Sequence, residues 1–291
     1  MSLFVKLING NCRNMKEVPN ESVHLVVTSP PYLDAINYNR ENVNNIGNFT
    51  GEEYYKMVYD VYSEVFRVLK PGRRFCLNVQ DIPSTEETTG LDMVGFRSAL
   101  LCQKIGFDLN AIIVWDKGRN RAGGTPMGSV PYPGGVVILG NYEYVFVFRK
   151  PGTPEYPTDK DIREGSKLTT QDIADNIYSV WSIRPEMDRS HPAPFPYDLP
   201  FRLIKVFSFK GETVLEPFTG SGTTLKAARD SRRSAIGYEL EYKFCKMAMG
   251  KVIWGMQFID GGEEYRYEFV RSGQTVDDSE TVDSGQKTLG E

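Results

Sequence analysis

The sequence has no apolar run approaching the roughly 20 residues needed to span a bilayer, so no membrane segment is expected. Its first residues, Met1-Ser2-Leu3-Phe4-Val5-Lys6, lack a basic region followed by a long apolar stretch and do not read as a secretory signal. Cysteine is scarce. Cys12, Cys76, Cys102 and Cys245 are far apart and form no CxxC pair, so neither a zinc site nor a disulfide framework is expected, and no metal. This usage fits a reducing cytoplasm. An excess of charge of either sign is also lacking, with 34 Lys and Arg against 38 Asp and Glu. The net charge of −4 is accounted for by the end of the chain, where Asp277, Asp278, Glu280, Asp283 and Glu291 face Lys287 alone. The body is near neutral, so a local basic surface for a polyanion is not excluded. The acidic, polar end is expected to be disordered from about residue 272.

Strand and helix signals alternate in what remains. Val23 to Val27 is a short apolar run that stops at a Pro-Pro turn and reads as a buried strand. Tyr55, Val58, Tyr59, Tyr62, Phe66 and Leu69 recur at helical spacing from Glu52, and Pro71-Gly72 is expected to end that helix. Further strands are expected over 74–79, 109–115, 142–148, 213–215 and 234–238, and further helices over 93–105, 200–207, 223–229 and 242–253. Strands separated by helices imply an α/β, doubly wound, mostly parallel sheet. The stretch from Lys117 to about residue 190 breaks this rhythm. It is rich in Gly, Pro and charge, holds one clear strand, and reads as an insertion.

Leu215-Glu216-Pro217-Phe218-Thr219-Gly220-Ser221-Gly222-Thr223-Thr224 follows a strand and opens a helix. Its glycines permit positive φ and close approach of backbone to a ligand. The next strand ends at Glu239, where a carboxylate commonly accepts from ribose hydroxyls. No Gly-Lys-Ser/Thr follows, so this is not a phosphate loop. Glu216 inside the loop would repel a pyrophosphate. It suits a cationic nucleoside such as S-adenosyl-L-methionine instead.

Thr28-Ser29-Pro30-Pro31-Tyr32 follows the strand Val23 to Val27. Its prolines fix the backbone and donate no hydrogen bonds, so their carbonyls could point at a ligand amino group. Tyr32 offers a flat face for stacking on a base, and Ser29 a small hydroxyl. An exocyclic amine is a poor nucleophile because its lone pair is delocalised into the ring. Fixed acceptors aimed at its hydrogens would make that pair more available.

Together these segments resemble a known family, the amino-methylating DNA methyltransferases. Thr28–Tyr32 resembles their catalytic motif and Glu216–Thr224 their cofactor motif. The catalytic motif comes first here, which resembles the circularly permuted β-group. His191-Pro192-Ala193-Pro194-Phe195-Pro196 resembles a further cofactor motif of that group, and Arg67 to Gly72 a helix end before a sheet strand. The likeness spans roughly residues 4 to 255. It implies a Rossmann-like fold with a catalytic half at 1–116, an inserted target-recognition region at 117–190, a cofactor half at 191–258 and an extension at 259–291. It also implies that Ser29, Pro30, Pro31 and Tyr32 hold a flipped base. Glu216, Pro217, Phe218, Gly220, Ser221, Gly222, Thr223 and Glu239 would surround S-adenosyl-L-methionine, with His191, Pro192, Ala193 and Phe195 closing the pocket. A His-Pro before a helix is also the pattern of an N-terminal cap, the lesser reading for His191. A Ser-Pro-Pro-Tyr core is similar to that of cytosine-N4 enzymes, and Asp or Asn in its first place to that of adenine-N6 enzymes. The cytosine-C5 class needs a nucleophilic thiolate in a Pro-Cys pair, and no Pro-Cys occurs.

The implied partner is double-stranded DNA, with a companion restriction endonuclease as a further possibility, for a monomer or homodimer. Lys117, Arg119 and Arg121 lie in a basic, Gly-containing stretch that either tracks phosphates or is a solvated loop. Tyr38 and Arg40, just after the catalytic motif, sit in a lid over the base or in a polar surface loop. The resemblance thus implies methylation of a cytosine N4 amine; adenine N6, RNA or a protein glutamine amide as substrate, and a non-catalytic nucleic-acid-binding module, stand as the other readings.

Overall fold

A computed structural model of the chain describes residues 3–31, 42, 44–83, 90–118, 132–135, 138, 140–186, 196–254 and 265–272. In chain order the elements are β1 (Leu3–Asn9), β2 (Val23–Thr28), a short 3-10 turn (Ile46–Asn48), α1 (Gly51–Val68), β3 (Leu69–Val79), β4 (Ile82–Pro83), β5 (Leu91–Asp92), α2 (Val94–Ile105), β6 (Asp108–Asp116) and β7 (Tyr142–Arg149). Then follow α3 (Lys160–Gly165), α4 (Thr170–Asn176), β8 (Val180–Ser182), α5 (Asp198–Phe207), β9 (Thr213–Glu216), α6 (Thr223–Asp230), β10 (Ser234–Glu239), α7 (Tyr242–Trp254) and β11 (Tyr265–Arg271).

Nine strands form one sheet in the order β11-β1-β10-β9-β2-β3-β7-β6-β8, and β4 and β5 pair separately. Every pairing in the large sheet is parallel except the two made by β7. The expected α/β doubly wound class is observed. The C-terminal strands β9 and β10 are inserted between β1 and β2.

Both faces of the sheet are covered. Helix α1 shows why: Tyr54, Val58, Val61, Tyr62, Val65 and Val68 fall on one stripe, and all are buried. They pack with Phe75, Phe107, Phe146 and Phe148 on one face. Leu203, Ala227, Ala228, Cys245 and Ala248 of α5, α6 and α7 cover the other, against Val27, Val145 and Val214.

Three boundaries differ from expectation for identifiable reasons. Helix α1 gives way directly to β3 at Leu69, so Pro71-Gly72 lies within the strand rather than before it. The register slips there, with Val23 opposite Leu69 but Leu25 opposite Arg74. Gly72 takes φ +74° in this bulge, and a Cβ on it would lie 2.5 Å from the Pro154 nitrogen, so the step needs glycine. The stretch read as an insertion after residue 117 supplies, besides the expected strand β7, a second strand β8 to the main sheet, along with α3 and α4. The segment after 258 supplies β11, which pairs in register with the whole of β1; residues 273–291, expected to be disordered, lie outside the described residues. Among the described residues, no helix is long and apolar enough to cross a membrane.

Candidate active site

Strands β9 and β2 are neighbours, with Leu25 opposite Val214 and Val26 opposite Leu215. The crossover from β9 runs through α6 on one face, and that from β2 through α1 on the other. This is the switch point of the sheet, where the carboxyl ends of strands in α/β folds leave a crevice for ligands. Here the crevice is an open cleft of about 1040 Å³, including solvent at its mouth. Ser29, Pro30 and Pro31 form one wall, and Glu216, Pro217, Phe218, Gly220, Ser221, Thr223 and Glu239 form another.

Glu216 ends β9 with only 3% of its surface exposed. One carboxylate oxygen accepts from the Thr28 hydroxyl and from the Phe218 N–H at 3.1 Å, and the other accepts from the Thr224 hydroxyl at 2.9 Å. Burial raises its pKa to about 8 despite these bonds. Glu239 ends β10. Its oxygens accept from the N–H groups of Gly220 and Glu241, each at 2.8 Å, and burial raises its pKa to about 7. Both carboxyls line the cleft, where a cation or a hydroxyl donor would favour their ionised forms.

The glycine loop is pinned to β10. The Thr219 N–H donates to the Tyr238 carbonyl at 2.9 Å. Gly222 caps α6 at φ +85°, and a Cβ there would lie 2.8 Å from Ala248. It does not line the cleft; it makes the turn that lets the loop do so. The hydroxyls of Ser221 and Thr223 accept from Lys251 Nζ at 2.9 and 3.2 Å.

On the wall formed by Ser29, Pro30 and Pro31, the Tyr54 hydroxyl donates to the Pro31 carbonyl at 3.1 Å. The expectation that both proline carbonyls stay free is therefore corrected: Pro31's is engaged by α1. Asn78, next to last in β3 and beside Ser29, donates its amide Nδ2 to Glu143 and, at 3.5 Å, to Ser29 Oγ. Lys117 pairs with Glu143 and sits over the Trp115 ring at 5.0 Å.

Sequence reasoning missed several of these residues. Gly10, Asn11 and Cys12 carry no motif, and only the sheet order brings them to the cleft. Asn78 and Glu143 lie in strands whose sequence signal is their apolar residues. Tyr32, Tyr38, Arg40, Arg119, Arg121, His191, Pro192, Ala193 and Phe195 lie outside the described residues. Burial pushes up the thiols of Cys12, Cys76, Cys102 and Cys245 alike, so none is poised as a thiolate nucleophile. The described residues hold no cluster of metal-ligating side chains.

A crevice at the switch point, walled by a Pro-Pro loop and a carboxylate-bearing glycine loop, lies where α/β folds bind ligands. The chain belongs to the N6/N4 DNA methylase family, whose model matches residues 23–250. It is 32% identical over 300 residues to the Type II methyltransferase M.MjaI of Methanocaldococcus jannaschii, covering 92% of this chain and 97% of that protein. It is 28% identical over 265 residues to the DNA adenine methyltransferase YhdJ of Escherichia coli, covering 84% of this chain and 82% of that one. Among solved structures it is similar to a DNA modification methylase of Thermus thermophilus, TTHA0409, in complex with S-adenosyl-L-methionine. The TM-score is 0.70 at 32% identity, over 90% of this chain and 99% of that one. The protein is thus a DNA methyltransferase whose cofactor is S-adenosyl-L-methionine.

Proposed function

We propose that this enzyme methylates the exocyclic N4 amine of a cytosine flipped out of duplex DNA, as a permuted β-group methyltransferase. The observation that carries the reading is the meeting of Ser29-Pro30 with Glu216 and Glu239 in one cleft. S-adenosyl-L-methionine supplies an electrophilic methyl on a cationic sulfur that leaves as a neutral thioether. Glu216 and the glycine loop hold the charged end of the cofactor. Glu239 accepts from its ribose, and the segment from His191 to Phe195 closes over it. Tyr32 stacks on the flipped base, at about 1–3 kcal/mol. Pro30's carbonyl and Ser29 fix the amine so that its lone pair faces the methyl. The surplus proton passes to solvent.

Ser29 in the first place of the Pro-Pro-Tyr loop supports cytosine N4 over adenine N6. Similarity to an adenine enzyme keeps adenine N6 as the second reading. Arg119 and Arg121 follow phosphates, Tyr38 and Arg40 lie over the base, and a restriction endonuclease of the same specificity is the companion. The test offers labelled cofactor to duplex DNA, RNA and protein in parallel. Label in duplex DNA alone supports the reading, and label only in RNA or protein overturns it.

A further inference from the structure

Ser29, Asn78, Glu143 and Lys117 form a row across four adjacent strands. Thr28 is opposite Leu77, which sets Ser29 beside Asn78. Asn78 is opposite Val145, two residues along from Glu143 on the same face of β7. Glu143 is opposite Trp115, which precedes Lys117 by two. The row thus runs along one lip of the sheet, and its middle is sequestered: Asn78 is 1% and Glu143 7% exposed.

The hydrogen bonds in this row have a direction. Glu143, ion-paired to Lys117, accepts, so the Asn78 amide must present nitrogen to it. Turning the amide over would set two oxygens against each other. The same nitrogen then reaches Ser29 Oγ at 3.5 Å, long for a hydrogen bond but with the donor on Asn78. This orientation leaves Asn78 Oδ1 buried without a hydrogen-bond partner among the described residues. An unsatisfied buried acceptor is unfavourable, so the orientation is imposed by Glu143 rather than chosen by the amide.

The consequence falls on Ser29. A hydroxyl that accepts from Asn78 must turn its own hydrogen elsewhere. Cytosine and adenine both carry, next to the exocyclic amine, a ring nitrogen that accepts hydrogen bonds. We infer that Lys117, Glu143 and Asn78 are positioning residues that make Ser29 a hydrogen-bond donor to that ring nitrogen, while Pro30 accepts from the amine. Ser29 is then a specificity residue that requires an amine beside a ring acceptor. This rests on the reading that Ser29 meets the target base, and holds for either base.

The test uses the full-length protein and duplexes carrying its own site, located by sequencing DNA that it has methylated. One duplex has the normal target, and one a deaza target in which the ring nitrogen is replaced by C–H. Wild type should lose about tenfold or more in kcat/KM on the deaza target. Glu143→Gln frees the amide to turn, and Asn78→Ala removes it. Each should fall about tenfold on the normal target, with the deaza penalty shrinking to within about threefold. A purely structural role would lower both substrates equally and leave the penalty intact. Affinity for S-adenosyl-L-methionine should be unchanged, since none of the three residues lines the cleft. A wild type indifferent to the ring nitrogen overturns the inference, as does an undiminished penalty in either variant that still binds cofactor. A wild type that methylates no DNA overturns instead the reading on which it rests.

Discussion

The Thr28 hydroxyl donates to the Glu216 carboxylate, joining two strand ends 188 residues apart in sequence. The bond couples the loop proposed to hold the base to the loop proposed to hold the cofactor, at the place in the sheet where the crossovers from β2 and β9 diverge. It also commits a buried hydroxyl to a buried carboxylate, whose ionised form it favours.

Thr28→Val keeps the shape and removes the donor. Glu216 retains Phe218 and Thr224, so the cost sits at the low end of the about 1–3 kcal/mol for an unsatisfied buried group. Affinity for S-adenosyl-L-methionine at pH 7 should fall about tenfold, read by calorimetric titration. Unchanged affinity would separate Thr28 from the cofactor site.

Glu216 and Glu239 have folded pKa values of about 8 and about 7, both above the ordinary 4.5. Each binds more protons folded than unfolded, so their joint contribution to stability declines as pH rises from about 4.5 to about 8. A cationic ligand favours the ionised forms and should expel protons. Titrations at pH 7 in buffers of different ionisation enthalpy should show proton release on binding S-adenosyl-L-methionine. Release should be smaller with S-adenosylhomocysteine, which lacks the positive sulfur. In Glu216→Gln the difference between the two ligands should largely vanish.

Gly222→Ala places a Cβ 2.8 Å from Ala248 at φ +85°. The strain alone costs about 1–3 kcal/mol, and relieving the clash moves the glycine loop. Tm should drop and cofactor binding should be lost. Gly250→Ala, in the same helix as Ala248 with nothing within 4 Å of its Cβ, should be neutral or stabilise by about 0.5–1 kcal/mol. Thermal melts of the two variants with and without cofactor distinguish loop geometry from general crowding.

Much of the fold is legible in sequence, and for physical reasons. Helix α1 announces itself because its tyrosines and valines repeat at helical spacing, and the Glu216 loop because glycine there has a backbone purpose. The strands at the β11 end of the sheet are harder. Tyr265-Arg266-Tyr267-Glu268 alternates aromatic with charged residues, but it and Leu3–Asn9 are short and their pairing is non-local. The row from Ser29 to Lys117 is illegible because single polar residues in strands acquire meaning only once the strand order aligns them. The Pro31 carbonyl escapes a sequence reading because its donor, Tyr54, lies on a helix whose signal is its apolar stripe.

Tyr32→Ala should cut methyl transfer strongly while leaving cofactor affinity nearly intact, because stacking on the base, not cofactor contact, is what Tyr32 is proposed to supply. Single-turnover transfer and calorimetric titration on the same preparation check it. Wild-type turnover in the variant would remove Tyr32 from the base site.

Methylation at cytosine N4 is tested most directly by digesting duplex DNA that the purified enzyme has modified with labelled S-adenosyl-L-methionine and identifying the labelled nucleoside. The expected product is N4-methyldeoxycytidine. N6-methyldeoxyadenosine would contradict the assignment drawn from Ser29, and label on cytosine C5 or no label in DNA would contradict the site itself.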